Sequence, residues 1–266
     1  MLKSFLVFLL ITISIFLQAQ DRLFTYSYQS NVLSNKRSEL EFYNTFRAGK
    51  EDYFLRHDFR AEFEIGLTKR IQSAFYLNVS SKTIAINTEE GKELKTTTKI
   101  GFSNEWKLKI SDPSIHPMGM GLYFEYGIGN QEYELEGKLI LDKYIGDFLI
   151  ATNLNYEIEF EPEYDQGKFK FEKEQSIDLY FSMAYPLKQG FYITSETLIK
   201  NKLETKLIEH NAIFSGLGFS YAKNNYWINF TALPQIISLK NQNINKSLNL
   251  SEYEKFKIRL LFSVSL

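Results

Sequence analysis

The chain contains no cysteine at all, and only five of its 266 residues are proline. The first absence excludes disulfide frameworks, thiolate catalysis, cysteine metal sites and a lipoprotein anchor, which needs a cysteine just after its cleavage site. The second, together with the lack of any linker-like or low-complexity tract and of any repeat longer than a hairpin, leaves a single domain. Positive charge is not in excess either: 31 Lys and Arg stand against 32 Asp and Glu, so nucleic acid is not an expected partner. Beyond residue 19 no apolar run approaches the roughly 20 residues that a membrane helix needs. An exported chain of this kind is either soluble or a β-barrel, because only helices and closed barrels satisfy their backbone inside lipid.

What is present begins with an export signal. Met1, Leu2 and Lys3 supply a short positive start, residues 4–17 are almost wholly apolar, and Leu17-Gln18-Ala19 has the form of a small-residue cleavage site. Residues 1–19 therefore read as a signal peptide, with the mature chain starting near Gln20 and carrying a slight acidic excess. Residues 20–37, with Phe24, Tyr26 and Tyr28 before a polar stretch, form a lead-in segment. Three placements stay open for it: a periplasmic tail, a short extra strand, or a segment folded into a lumen. Residues 38–266 read as the barrel itself.

Alternation of apolar and polar residues runs through that remainder. In residues 53–67, Tyr53, Leu55, His57, Phe59, Ala61, Phe63, Ile65 and Leu67 alternate with Phe54, Arg56, Asp58, Arg60, Glu62, Glu64 and Gly66. A strand of that length exceeds the roughly 9 to 11 residues that cross a bilayer core. Twelve such segments are expected: 38–47, 53–67, 70–80, 96–110, 118–129, 131–142, 147–161, 169–185, 190–201, 207–222, 226–236 and 250–266. Merging or missing a hairpin gives ten or fourteen. The even number puts both ends of the barrel on one side, as in bacterial single-chain barrels. Short turns at 66–69, 143–146, 186–190 and 223–225, with 111–117 somewhat longer, alternate with longer polar connections at 81–95, 161–168 and 237–249, which read as outward loops. Two outward links, near Gly49 and near Asn130, are short and weaken the rule. Aromatic residues make up 16% of the chain, with 23 Phe and 17 Tyr, a bias that suits strands and interfacial girdles.

Two resemblances add to this. The last segment, in which Phe256, Ile258, Leu260, Phe262, Val264 and Leu266 alternate with Lys257, Arg259, Leu261, Ser263 and Ser265, resembles the carboxy-terminal assembly signal of outer-membrane barrels. That signal ends in an aromatic residue, and Leu266 departs from it. Asp21-Arg22-Leu23-Phe24-Thr25-Tyr26, the run from Glu62 to Gln72, Ala74-Phe75-Tyr76-Leu77-Asn78 and Leu233-Pro234-Gln235 together resemble an uncharacterised family of exported bacterial outer-membrane β-barrels of unknown function. The resemblance implies an all-β, antiparallel up-and-down barrel in the outer membrane of a Gram-negative bacterium, and carries over no catalytic residue.

Chemistry-bearing constellations are sparse. Of the three histidines, His57 takes lipid parity, His116 sits in a turn, and His210 and Ser215 fall on opposite faces, so no Ser-His pair is expected. No HExxH, calcium-loop or phosphate-loop pattern occurs, and no cofactor is implied. The glycines at 119, 121, 127 and 129 share lumen parity and leave room there. What remains is a charged inner wall, with lumen candidates Arg56, Arg60, Glu62, Glu64, Glu105, Lys107, Lys109, Glu132, Glu134, Glu136, Glu157, Glu159, Lys255, Lys257 and Arg259. Opposed rows of charge orient polar solutes in an open channel, and pair across a narrow one to close it. A narrow channel for small polar or charged solutes, a closed structural or surface-binding barrel acting through its loops, and a lipid-active enzyme are the three functions carried forward. Expected partners are outer-membrane lipid, the barrel-assembly machinery and small polar solutes.

Overall fold

The computed structural model describes residues 22–89, 91–130, 132–165, 168–204, 207–223, 225–240 and 247–266. The expected signal peptide at 1–19 lies outside them. Twelve strands appear in chain order: β1 (Ser38–Ala48), β2 (Phe54–Gly66), β3 (Ile71–Thr88), β4 (Gly91–Ser111), β5 (Gly119–Gly129), β6 (Tyr133–Ile145), β7 (Phe148–Asp165), β8 (Lys168–Lys188), β9 (Phe191–Glu204), β10 (Leu207–Lys223), β11 (Tyr226–Ile237) and β12 (Phe256–Ser265). Each pairs antiparallel with its sequence neighbours, and β1 pairs with β12 from Glu39↔Ser265 to Ala48↔Phe256, which closes the barrel. Beyond that seam, the Leu266 N–H donates to the Ser38 carbonyl at 2.9 Å. Closure leaves no edge strand unpaired, the condition for a sheet surrounded by hydrocarbon.

The period of two sorts the side chains. Phe63, Phe75, Leu77, Phe102, Leu122, Phe124, Leu135, Leu154, Phe181 and Leu217 are exposed on the outer wall. Their chain neighbours Glu62, Glu64, Ala74, Tyr76, Ser103, Tyr123 and Asn155 are buried inside. A soluble sandwich would reverse this, with its apolar face hidden. Trp106, Tyr144, Phe148 and Tyr185 are exposed near the end of the barrel that holds both sheet termini, and Tyr126, Tyr133, Phe169 and Phe171 toward the other. Such aromatic belts mark the two interfaces of a membrane barrel.

Three expected connections change. The polar stretches at 81–95 and 161–168 are not loops: β3 and β4 stay in register to Thr88↔Gly91, and β7 and β8 to Asp165↔Lys168. Polar side chains do not end a strand whose backbone ladder continues in water, so polarity alone is a poor marker of its upper limit. The last strand is shorter than 250–266, because Asn249, Tyr253 and Glu254 turn into the lumen before β12 begins at Phe256.

Residues 22–33 run inside the barrel. Arg22 to Ser30 are all buried, as are Val32 and Leu33, so the segment fills the lumen at its level rather than lining a gap. Its apolar side chains dock on apolar patches of the wall. Leu23 and Phe24 meet Leu149, Ala151 and Ala184, whereas Tyr26 meets Leu198, Ala212, Phe214 and Leu233.

Candidate functional site: the lumen and its vestibule

A strand-less segment enclosed in a barrel needs partners for every backbone amide, since an orphaned buried group costs about 1–3 kcal/mol. Wall side chains supply many of them, and Gln29 within the segment accepts from the Leu23 N–H at 2.7 Å. The Glu196 carboxylate on β9 accepts from the backbone N–H of Thr25 and Tyr26 at 2.8 Å and of Ser27 at 3.1 Å, and from the hydroxyls of Thr25 and Thr231 at 2.7 and 2.8 Å. Successive N–H groups converging on one carboxylate form an anion nest, and Glu196 is fully buried in it. Further along, the Asn153 side chain pairs both ways with the Tyr28 backbone at 2.6 and 2.9 Å. Asp142 accepts from Ser30 N–H and hydroxyl, and Gln72 accepts from Leu33 N–H at 2.8 Å. Glycines make the seat: a Cβ at Gly66 would lie 2.2 Å from the Ser34 carbonyl, and one at Gly119 would lie 2.4 Å from the Ser30 hydroxyl and 2.0 Å from Asp142 Oδ1.

Above this segment, toward the long hairpins, lies a vestibule of about 710 Å³ whose floor includes Arg22, Tyr26 and Tyr28. Its two sides differ in charge. Arg47, Arg56, Arg60, Lys82 and Arg259 line it from β1, β2, β3 and β12, whereas Glu132 just before β6 and Glu134, Glu136, Glu157, Glu159, Glu161 and Glu174 on β6, β7 and β8 line it on the other side. Many of the charges are held in place. Arg60 donates to Asn78 at 2.6 Å and reaches Glu125 at 3.3 Å, and Arg56 meets Asp58 at 2.6 Å. Lys99 sits between Glu132 and Glu161, and Lys138 pairs with Glu136. Arg259 donates to Thr45 at 2.8 Å and to the Thr25 carbonyl at 3.2 Å, its guanidinium 3.8 Å from the Tyr26 ring centre.

The remaining sequence candidates fall in several places. Glu62, Glu64 and Glu105 lie together, buried in the wall below the vestibule. Glu134, Glu136 and Glu157 form a second, less buried carboxylate group on the vestibule side. Lys107 is buried with its ammonium 5.5 Å from the Tyr28 ring, and Lys109 pairs with Asp112 at 3.3 Å in the turn after β4. Lys257 meets Glu254 at 2.9 Å. Burial alone would raise the Glu254 carboxyl, but Lys257 and Arg47 beside it win and hold it at about 2. Lys255 is exposed one residue before β12. Sequence reading did not single out Glu196, Asn153, Asp142, Gln72, Arg47 or Glu254. A lone acid at lumen parity between Thr194 and Leu198 was the available signal for Glu196.

Among the described residues the histidines form no catalytic set with serine. His210 lies 3.1 Å from Glu209, while Ser215, on the outer face, shares a 2.8 Å hydrogen bond with Thr197. His57 is on the outer wall, stacked on Phe46 with ring centres 4.3 Å apart, and His116 is exposed in its turn.

The Family of unknown function (DUF6662) matches this chain over residues 16–266. No curated protein matches it. Among solved structures, an outer membrane channel from Pseudomonas putida F1 is similar at 8% identity and a TM-score of 0.62, covering 89% of this chain and 98% of its own. The translocator domain of the autotransporter NalP from Neisseria meningitidis is similar at 10% identity and a TM-score of 0.59, covering 88% and 89%. The NanC porin is similar at 10% identity and 0.53, covering 85% and 100%. These likenesses establish the fold, a closed barrel of the outer-membrane type.

Proposed function

The chain belongs to the DUF6662 family of unknown function, and from that premise we propose that it is a narrow outer-membrane channel for small charged solutes, closed at rest by its own residues 22–33. The observation that carries this is the vestibule of about 710 Å³ with basic and acidic sides facing each other. In a confined aqueous space such a transverse field orients zwitterionic and charged solutes and disfavours apolar ones. The proposal includes export by a leader cleaved after Ala19, insertion by the barrel-assembly machinery, and sheet termini on the periplasmic side. The vestibule then faces the cell exterior and the segment closes the periplasmic half.

Planar bilayers test it. The intact chain is expected to give little or no steady current, and deletion of residues 22–33, or Glu196→Gln as a milder release of the same segment, is expected to give discrete channel openings. A deletion variant that folds into a heat-modifiable barrel yet stays silent would overturn the channel reading. It would favour the second reading, a surface-binding barrel, which draws support from the filled lumen and from the β3–β4 and β7–β8 hairpins extending well past their neighbours.

A further inference from the structure

The pairing register carries an arrangement that the channel does not require. One line of directly opposed residues runs Glu39↔Glu64, Glu64↔Ala74, Ala74↔Glu105, Glu105↔Glu125, Glu125↔Glu136 and Glu136↔Glu157, and so crosses β1 to β7. The adjacent lumen-facing line carries Glu41↔Glu62 and, farther round, Glu134↔Glu159. Like charges opposed across strands are destabilising unless something neutralises them. Over most of the line bases do so: Arg60 serves Glu125, Lys138 serves Glu136, and Arg22 lies 4.0 Å from Glu41.

At Glu62, Glu64 and Glu105 that provision is thinner: Lys107 faces Glu64 and Glu105, and Arg22 faces Glu62 and Glu64, but among the described residues neither base forms an ion pair with any of the three. One carboxylate oxygen from each lies within 4.8 Å of the others, and all three residues are buried. Glu62 is 1% exposed, yet neither of its oxygens accepts a hydrogen bond, and Glu105 Oε1 accepts none either. Glu64 is tied to Gln72 at 2.9 Å, and Glu105 Oε2 accepts from the Tyr76 hydroxyl, so the cluster is fixed in position rather than free to turn toward water. Three buried carboxylates sharing two bases that do not pair with them directly are a costly arrangement when all are ionised.

We propose that Glu62, Glu64 and Glu105 bind a divalent cation of the calcium class in the barrel wall. Oxygens at opposite sides of a calcium ion are about 4.6–5.2 Å apart, and the cluster's spacing fits within that. Magnesium dehydrates reluctantly and favours sites where it keeps several waters, so an enclosed cage of carboxylates selects calcium. The line through Glu125, Glu136 and Glu157 connects the cluster to the vestibule, which gives the ion an acidic path inward. Through Gln72, which holds both Glu64 and the Leu33 amide, the ion also steadies the seat of the lumen segment.

The test uses the full mature chain in detergent micelles, stripped with chelator and titrated with calcium chloride alone by calorimetry. Terbium luminescence excited through tyrosine, with Tyr76 adjacent, gives a second readout. Saturable binding of one calcium is expected, weakened by about tenfold or more in Glu62→Gln and Glu105→Gln, while Glu134→Gln on the vestibule side leaves it within about threefold. Heat-modifiable migration confirms that each variant is folded, and Glu105→Gln decides the matter if Glu62→Gln is not. Absence of binding by the intact chain overturns the proposal in favour of a proton shared between Glu62 and Glu64. Binding that survives both substitutions overturns it as well, and places the ion elsewhere.

Discussion

At the scale of single residues, Gly119 and Gly66 are space reserved for another part of the chain. At Gly119 an added methyl meets Asp142, Ser30 and Pro113 at 2.0 to 2.6 Å, whereas at Gly127 the nearest atom would be 3.4 Å away. Gly119→Ala is therefore expected to destabilise the barrel by about 1–3 kcal/mol, the range for overpacking a filled site, and Gly127→Ala by much less. Denaturant midpoints of the heat-modifiable band measure the difference. The lumen parity of Gly119 and Gly127 was legible in the sequence, and so was the room they leave, whereas Gly66 read as the start of a turn. What the room is for was not, because its occupant lies about 90 residues earlier and alternation says nothing of contacts across a lumen. The same gap hid Glu196, whose partners are Thr25, Tyr26 and Ser27. Charge on the inner wall could be read from parity, but its pairing could not.

At the scale of elements, the twelve strands follow the alternation to within a few residues except along the long hairpins, where the polar stretches at 81–95 and 161–168 stay in register. There polar residues replace apolar ones, so the pattern that marks a strand fades while the ladder persists. The link before β12 shows the opposite error: the segment expected as strand from 250 is turned into the lumen by its polar contacts before β12 begins at Phe256. Asn249 N–H donates to Gln235 at 2.7 Å, Gln235 donates to the Glu254 carbonyl at 3.2 Å, and Glu254 pairs with Lys257 at 2.9 Å. The Glu254 carboxyl is held at about 2 against an ordinary value of 4.5. A carboxyl lowered by folding contributes stability that is complete above its unfolded value and lost as the pH falls toward its folded one. Thermal unfolding followed by circular dichroism should therefore show a loss of stability between pH 4.5 and 2 that shrinks in Glu254→Gln, which is itself less stable at neutral pH.

For the whole molecule, charge separation across the vestibule has a measurable sign. With residues 22–33 deleted, Arg56→Glu together with Arg60→Glu removes basic charge from one side of the vestibule and adds acid. The reversal potential in a potassium chloride gradient is expected to move toward cation selectivity, by more at low salt, where screening is weakest. An unchanged potential would place the conducting path away from that side. The lumen segment has a consequence for how the barrel comes to exist. Its hydrogen-bond partners include Tyr43 on β1, Gln72 on β3, Asp142 on β6, Asn153 on β7, Ser182 on β8, Glu196 on β9, Asn229 on β11 and Arg259 on β12. No short stretch of sheet offers that seat, so it is complete only when the strands have curled through most of the circumference, and contacts so distant in sequence form late. The seam between β1 and β12 joins the two ends of the sheet, and residues 22–33 are tethered directly to β1. Residues 22–33 are therefore expected to reach their full seat only as the last strands shut the cylinder.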